Sequence, residues 1–364
     1  MTATQQAGSS RLASLDAFRG LTMILMVLVN SAGSDAVYTQ FEHTAWHGLT
    51  LADVIFPSFV WIVGITTTLS LRSRVRTVPR NILVKQVFWR AAKMYILGVC
   101  LYAAPRFSWT SQRLTGVLQR IAICYLVGSL LYLFTTRRTQ IFWIIGLLAG
   151  YWAIMTLIPA PGFARGDLSV EGNLAHYVDR IVLGTHNYVQ TKTWDPEGIL
   201  STIPAIASML LGMMAGYELQ RETTLAARLK RMAVAGLVLL VAGLVVSHWF
   251  PINKKLWTTS FVLVVAGIDC LLLPVFTWLI DIKGRERLLK PLVIMGMNAI
   301  TIYLLSEFLD LALSVSNLKP RIFQICFQPL ATPPMASFFY AAAYTLLMYG
   351  AAYLLYRKRI FLRI

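Results

Sequence analysis

Ten runs of mostly apolar residues, each close to twenty long, recur along the chain, and they limit its fold more than any other feature. They lie near residues 18–34, 51–71, 86–104, 115–134, 141–159, 199–219, 232–250, 258–280, 291–311 and 335–356. A hydrocarbon layer of ~30 Å takes roughly 20 helical residues to cross. Of 364 residues, 57% are apolar and 13% charged, against about 25% charged in soluble domains. No long polar stretch is left to form the surface of a soluble domain. The expected fold class is therefore all-α: a polytopic integral membrane protein with about ten transmembrane helices in one bundle, residues 1–364 forming a single domain.

An even number of spans leaves both termini on one side, and the loop charges say which. Twenty-two Lys and Arg, from Arg11 through Arg90 to Arg363, fall on the N-terminal side of this scheme and nine on the other, with Arg19 and Arg120 inside spans. Basic residues collect in cytoplasmic loops, so both termini are expected in the cytoplasm. The same clustering accounts for the net charge of +17 without nucleic acid as a partner; membrane lipid is the expected surroundings. The N-terminal stretch and the apolar run that follows it from Leu21 together imitate a signal peptide, but Asp16 and Arg19 abut that run and nine more spans follow, so the run is read as the first span. The polar stretch Pro159–Gly198 is expected to form an external cap, and Ser314–Pro334 an irregular external loop with a short helix. No internal repeat is evident. Four cysteines without CxxC spacing argue against a disulfide framework or a zinc site.

Ionisable groups inside spans are costly unless they face a cavity or a partner. In the first span, Asp16, Arg19, Met23 and Asn30 share one helical face, with Asn30 roughly 16 Å beyond Arg19. Spacing alone fits two readings: an ion pair at a helix start plus an Asn joining helices, or a polar path through the membrane. Asp53, Gln119, Arg120, Asp269, Asn298, Glu307 and Asp310 add further polar groups within spans. All five histidines fall at or beyond the external ends. His43 and His47, four apart, have a metal-binding spacing, but no third ligand follows and no metal is expected.

Several strings then become informative as an ordered set: RLASLDAFRGLTMILMVLVN, HTAWHGLTLADVIFPSFVWIVG, GVLQRIAICY, WDPEGILSTI, PINKKLWTTSF, MGMNAITIYL and YRKRIFLRI. Together, from residue 11 to residue 364, they resemble the heparan-alpha-glucosaminide N-acetyltransferase family and its bacterial relatives. The resemblance implies transfer of an acetyl group from cytosolic acetyl-CoA, a co-substrate, to an amino sugar or glycan across the plasma (inner) membrane. It implies His43 as the central catalytic residue, with Asn30 at the external end of the preceding helix, and a homodimer. It further implies that Arg19, Asp53, Gln119, Arg120, Asn298, Asn253, Lys254 and Trp257 line the site. The first five are expected towards acetyl-CoA; the last three, with Trp46 and His47, towards the acceptor. Two departures fall near that acceptor: His47 stands where the family commonly has Asn, and Leu305-Ser306-Glu307 where the animal enzymes read GHE.

The chemistry is coherent with this. An amine attacks only when neutral, and a neutral His43 can take its proton, worth ~10²–10⁴ in rate. Asn30 can donate to the thioester oxyanion, worth about 10²–10³. A His43 that attacks first would instead carry an acetyl-imidazole. The rival class is a secondary transporter with an intramembrane charge relay; hydropathy alone favours it, and the ordered strings reverse that in favour of the acetyltransferase.

Overall fold

The computed structural model describes residues 12–104 and 108–361; Arg11, Arg106 and Arg363, counted above for sidedness, lie outside them. Every regular element among the described residues is helical. The long rods are α1 (Ala13–Asn30), α2 (Leu51–Arg74), α3 (Arg80–Ala103), α4 (Val117–Phe134) and α5 (Arg137–Leu157). After a short α6 (Leu174–Val182) come α7 (Thr202–Leu219), α8 (Leu225–Val246) and α9 (Thr259–Thr277), which continues as a π turn to Ile282. The last are α10 (Glu286–Met297), α11 (Ala299–Val315), the short α12 (Leu318–Ile322) and α13 (Pro333–Arg357).

Eight of these are long and apolar enough to cross a membrane, and α10 with α11, bent by 68° at Asn298, make a ninth. The tenth expected span corresponds to α3, which is long enough but carries Arg80, Lys85, Arg90 and Lys93. The chain is thus a multi-pass helical membrane protein. Its outer helices α5, α8 and α13 turn Phe142, Val238 and Leu346 outward, as a lipid solvent allows. The stretch after α11 is more helical than expected: α12 runs into a π turn at Phe323–Phe327 and a 3-10 turn at Gln328–Leu330.

Glycines set the closest crossings, because only a missing side chain lets two helix backbones touch. A Cβ on Gly20 of α1 would lie 1.8 Å from the Leu292 carbonyl of α10, and one on Gly296 1.9 Å from that of Asp16. Gly64 of α2 and Gly212 of α7 meet in the same way. These contacts leave α1, α2 and α7 around one apolar core that includes Met23, Phe59, Met209 and Trp257.

The bundle has two unlike ends. One end gathers the basic helix termini, among them Arg72, Arg74 and Arg137. The other bears the segment between α5 and α7, which we call the cap. Its helix α6 starts at Asn173, whose side chain accepts from the His176 backbone N–H. Leu174 and Ala175 bury against Tyr151, Phe250 and Leu256 of the bundle. A buried Arg113 fastens the cap. Its Nε and Nη2 bond the Asp195 carboxylate at 2.8 and 2.7 Å, Nη2 also reaches Glu197 at 2.7 Å, and the rings of Tyr102 and Tyr188 lie over the guanidinium. Burial opposes the charge on Arg113, but the two carboxylates outweigh it and raise its pKa.

Candidate active site

The loop from Ser31 to Thr50 returns the chain from α1 to α2 and carries both His43 and His47. Thr50 caps α2 in a reciprocal capping box with Asp53, which fixes the carboxylate at the helix N-terminus. Asp53 accepts from the backbone N–H groups of Thr44 and Thr50, each at 3.2 Å, and from the Thr44 hydroxyl at 3.0 Å. Its other oxygen lies 2.9 Å from His43 Nδ1. A carboxylate only accepts, so Nδ1 bears the proton and Nε2 the lone pair. Asp53 is 1% exposed and the His43 side chain 44%: a buried carboxylate orients an accessible imidazole.

A second loop, Pro251–Thr258, crosses this one. Lys254 Nζ sits 3.1 Å from both ring nitrogens of His43, and so over the imidazole, and 3.8 Å from Asp53. Burial pushes the Lys254 pKa down to about 8, with Asp53 pulling the other way. Asn253 is fully buried: its Oδ1 accepts from the Leu256 N–H, and its Nδ2 lies 3.3 Å from His47 Nδ1. Gly48, at φ +125, donates its N–H to the Ile252 carbonyl at 2.8 Å; a Cβ there would be strained. Trp257 holds a left-handed φ of +53 and donates Nε1 to Ser208 at 3.1 Å. Strain of that kind persists only where the surroundings impose it, here through Phe56, Phe261 and the guanidinium of Arg120, 4.8 Å from its ring.

The structure divides the residues expected to face acetyl-CoA. Asp53 belongs to His43. Arg120 lies at the cap end, bonded through Nη2 to Ser201 and the Gly198 carbonyl. Gln119 is buried beside Gly98 and Gly116, its amide without a hydrogen bond among the described residues. Of the five, Arg19 and Asn298 line a cavity of ≈ 330 Å³ in the half nearer the basic end, with Thr66, Thr67, Tyr125 and Arg90. There Arg19 pairs with Asp16 at 3.0 Å and Asn298 donates to the Ile360 carbonyl at 3.1 Å. Phe59, Ile121 and Ile300 are shared with a small void that climbs past Met23, Met26, Val117 and Tyr303 towards the cap end. One helical turn beyond Tyr303, Glu307 accepts from Asn30 Nδ2 at 3.1 Å.

Two acceptor-side residues serve the cap as well. Trp46 donates Nε1 to the Leu168 carbonyl at 2.8 Å and packs edge-on against His176 and Trp194. His47 is exposed, its pKa lowered by burial of part of the ring. His176 is a cap residue: stacked on Trp194 at 4.0 Å, bonded to the Val170 carbonyl, its pKa pushed down to about 4 by burial.

The sequence reading missed Arg90 and the Arg113–Asp195–Glu197 cluster. Arg90 had a visible signal, since it falls inside the apolar run 86–104 rather than in a loop. Asp195 and Glu197 sit in the string WDPEG, but nothing local pairs them with Arg113, more than eighty residues earlier.

Comparison with known proteins agrees with the ordered strings. Residues 11–244 match the model of the family described as heparan-alpha-glucosaminide N-acetyltransferase, catalytic. The chain is similar to the heparan-alpha-glucosaminide N-acetyltransferase of Mus musculus, 29% identical over 99% of this chain and 62% of that protein. With the Homo sapiens protein of that name it is 30% identical, over 97% of this chain and 60% of that protein. It thus spans about three fifths of the length of these relatives. With a match covering most of its membrane core, the chain belongs to the heparan-alpha-glucosaminide N-acetyltransferase catalytic family.

Proposed function

We propose that this chain is one transmembrane domain that moves an acetyl group from cytosolic acetyl-CoA to the amine of an amino sugar or glycan on the far side of the membrane. The observation that carries the reading is the Asp53–His43 pair at the cap end, with a cavity bearing Arg19 and Arg90 towards the other end and a small void leading from it past Met26 and Tyr303. A volume of ≈ 330 Å³ is at the low end for ligand pockets of ~300–1,000 Å³, which suits a slender pantetheine arm with the nucleotide left at the mouth. His47, Lys254 and the Trp46 region border the acceptor, and Asn253 and Trp257 hold that border in shape.

In this mechanism the neutral acceptor amine attacks the thioester carbonyl. A donor from Asn30 meets the developing oxyanion, its second N–H remaining on Glu307. His43 Nε2 takes the proton released by the nitrogen, and Asp53 stabilises the imidazolium. The C–S bond breaks, and the proton passes from His43 to the leaving thiolate, giving the amide and CoA. Lys254 governs the base through charge: protonated, its ammonium beside the imidazole opposes proton uptake by His43; neutral, it does not. We read transfer as direct, because burying both substrates together needs no reactive intermediate kept from external water.

The test is purified protein with labelled acetyl-CoA and glucosamine. Acetylated amine with stoichiometric free CoA is expected. Neither product, from protein that is folded and binds CoA, overturns the reading.

A further inference from the structure

Helix α3 has two unlike sides. Leu83, Val87, Ala91, Met94, Gly98 and Leu101 follow one another at steps of three and four and are buried against the bundle. Lys85, Trp89 and Lys93, at steps of four, form a second stripe, and all three are exposed. The helix starts with Arg80 at the basic end, so Lys93 lies about 20 Å along it at 1.5 Å per residue, within a layer ~30 Å thick. An outward-facing cation so far into a span is costly unless an anion meets it. Among the described residues neither lysine has an ion-pair partner. Helical side chains lean towards the N-terminus of their helix, so Lys93 sets out towards Lys85 and the basic end. Beside this stripe, between α3 and α4, runs an apolar groove of ≈ 250 Å³ lined by Phe88, Ala92, Ile96, Ile123 and Leu126 among others. Lys85 stands three residues before Phe88 and seven before Ala92, on the helical face that borders the groove. Phe88 and Ile96 are 55% and 57% exposed, so the groove opens outward.

A pair of unpaired cations at the foot of an apolar slot matches one molecule of a bilayer, an anionic head carried on an acyl chain. We propose that the outer face of α3 and α4 binds an anionic phospholipid from the leaflet at the basic end. Its phosphodiester lies between Lys85 and Lys93, over Trp89, and one acyl chain runs up the groove towards the cap end. Ammonium groups bind phosphate as point charges, and an indole suits the boundary between heads and chains. A phosphatidylcholine head brings its own cation to the same place, so charge complementarity selects a lipid with net negative charge. This site is separate from the chemistry at His43 and from the cavity that Arg19 and Asn298 line.

Native mass spectrometry tests this on the whole protein, stripped of lipid in neutral detergent and titrated with palmitoyl-oleoyl phosphatidylglycerol or phosphatidylcholine. Wild type should bind one phosphatidylglycerol about tenfold or more tightly than phosphatidylcholine, each lysine beside an anionic lipid being worth about fivefold. The double variant Lys85→Gln, Lys93→Gln should bring that ratio close to one with lipid-free thermal unfolding unchanged, since both side chains are exposed. Lys85→Arg with Lys93→Arg should keep the ratio. Ala92→Trp, which fills the groove and leaves both cations, should weaken both lipids together, and glycerol phosphate, which has no chain, should not displace phosphatidylglycerol. A wild-type ratio near one, or a Gln variant that keeps the full ratio, overturns the proposal. So does an Ala92→Trp protein with wild-type affinity, or displacement by glycerol phosphate, which assigns the lysines to a free phosphate. A Gln variant that changes the mass of the oligomer and not the lipid ratio assigns the face to a second copy and overturns it too. None of these readouts uses acetyl-CoA.

Discussion

His43 Nδ1 lies 2.9 Å from Asp53 Oδ1, an accessible imidazole held by a carboxylate that is almost wholly buried. Because Asp53 also takes two backbone N–H groups of the same loop, it sets the loop conformation and the imidazole tautomer together.

Asp53→Asn should therefore lower kcat by ~10²–10⁴, the usual range for losing a positioned acid–base partner, with acetyl-CoA affinity little changed because the cavity lies towards the other end. Single-turnover transfer and a separate CoA titration measure the two. An Asp53→Asn variant with wild-type kcat removes the pair from the mechanism.

Lys254 gives the reaction a pH signature. Its pKa is pushed down to about 8, so the fraction of enzyme with an uncharged Lys254 beside the imidazole grows as pH rises through about 8, and kcat/KM should have a rising limb there. Lys254→Met should remove that limb. Linkage runs the same way. Between about 8 and the ordinary value near 10.5 the unfolded chain holds the proton that the folded one has lost, so this group's contribution to stability rises with pH across the window. Lys254→Met should flatten that slope in thermal unfolding between pH 8 and 10.

The long rods were legible because a membrane span must satisfy its own backbone and present apolar side chains over about twenty residues, leaving a mark that needs no tertiary knowledge. The apolar count even included α3, whose basic residues dilute its hydropathy. His43 stood out through ordered strings, and Asn30 through its place on the polar face of the first span as well as those strings. What the strings did not carry was partnership. Asp53 was grouped with acetyl-CoA because it lies within a span, whereas the loop before it folds His43 and Thr44 onto its carboxylate. Arg120 was grouped with Arg19 because both are arginines inside spans; they lie towards opposite ends because α1 and α4 run in opposite directions and each holds its Arg near its first turns. Arg113, Asp195 and Glu197 meet only once the cap has closed over the bundle, and no local pattern encodes that.

Close packing gives a prediction about stability. A methyl on Gly296 would lie 1.9 Å from the Asp16 carbonyl, and two helix backbones cannot both give way. Gly296→Ala should destabilise the protein by about 1–3 kcal/mol and weaken CoA binding, since the α1–α10 crossing holds Arg19 and Asn298 in the cavity wall. Thermal unfolding in detergent with and without CoA reads both effects.

Sidedness is testable apart from chemistry. Reporter fusions after Ile364 and within Pro159–Gly198 should report opposite sides, with the cap external and the C-terminal end cytoplasmic. Both on one side would contradict the orientation and, with it, the transmembrane direction of transfer.

The central claim, that His43 performs the transfer, is tested most directly by acetyl transfer from labelled acetyl-CoA to glucosamine with purified His43→Ala. Transfer should be abolished, acetyl-CoA binding should remain close to that of wild type, and His176→Ala, assayed beside it, should retain measurable turnover. Undiminished transfer by His43→Ala would contradict the account.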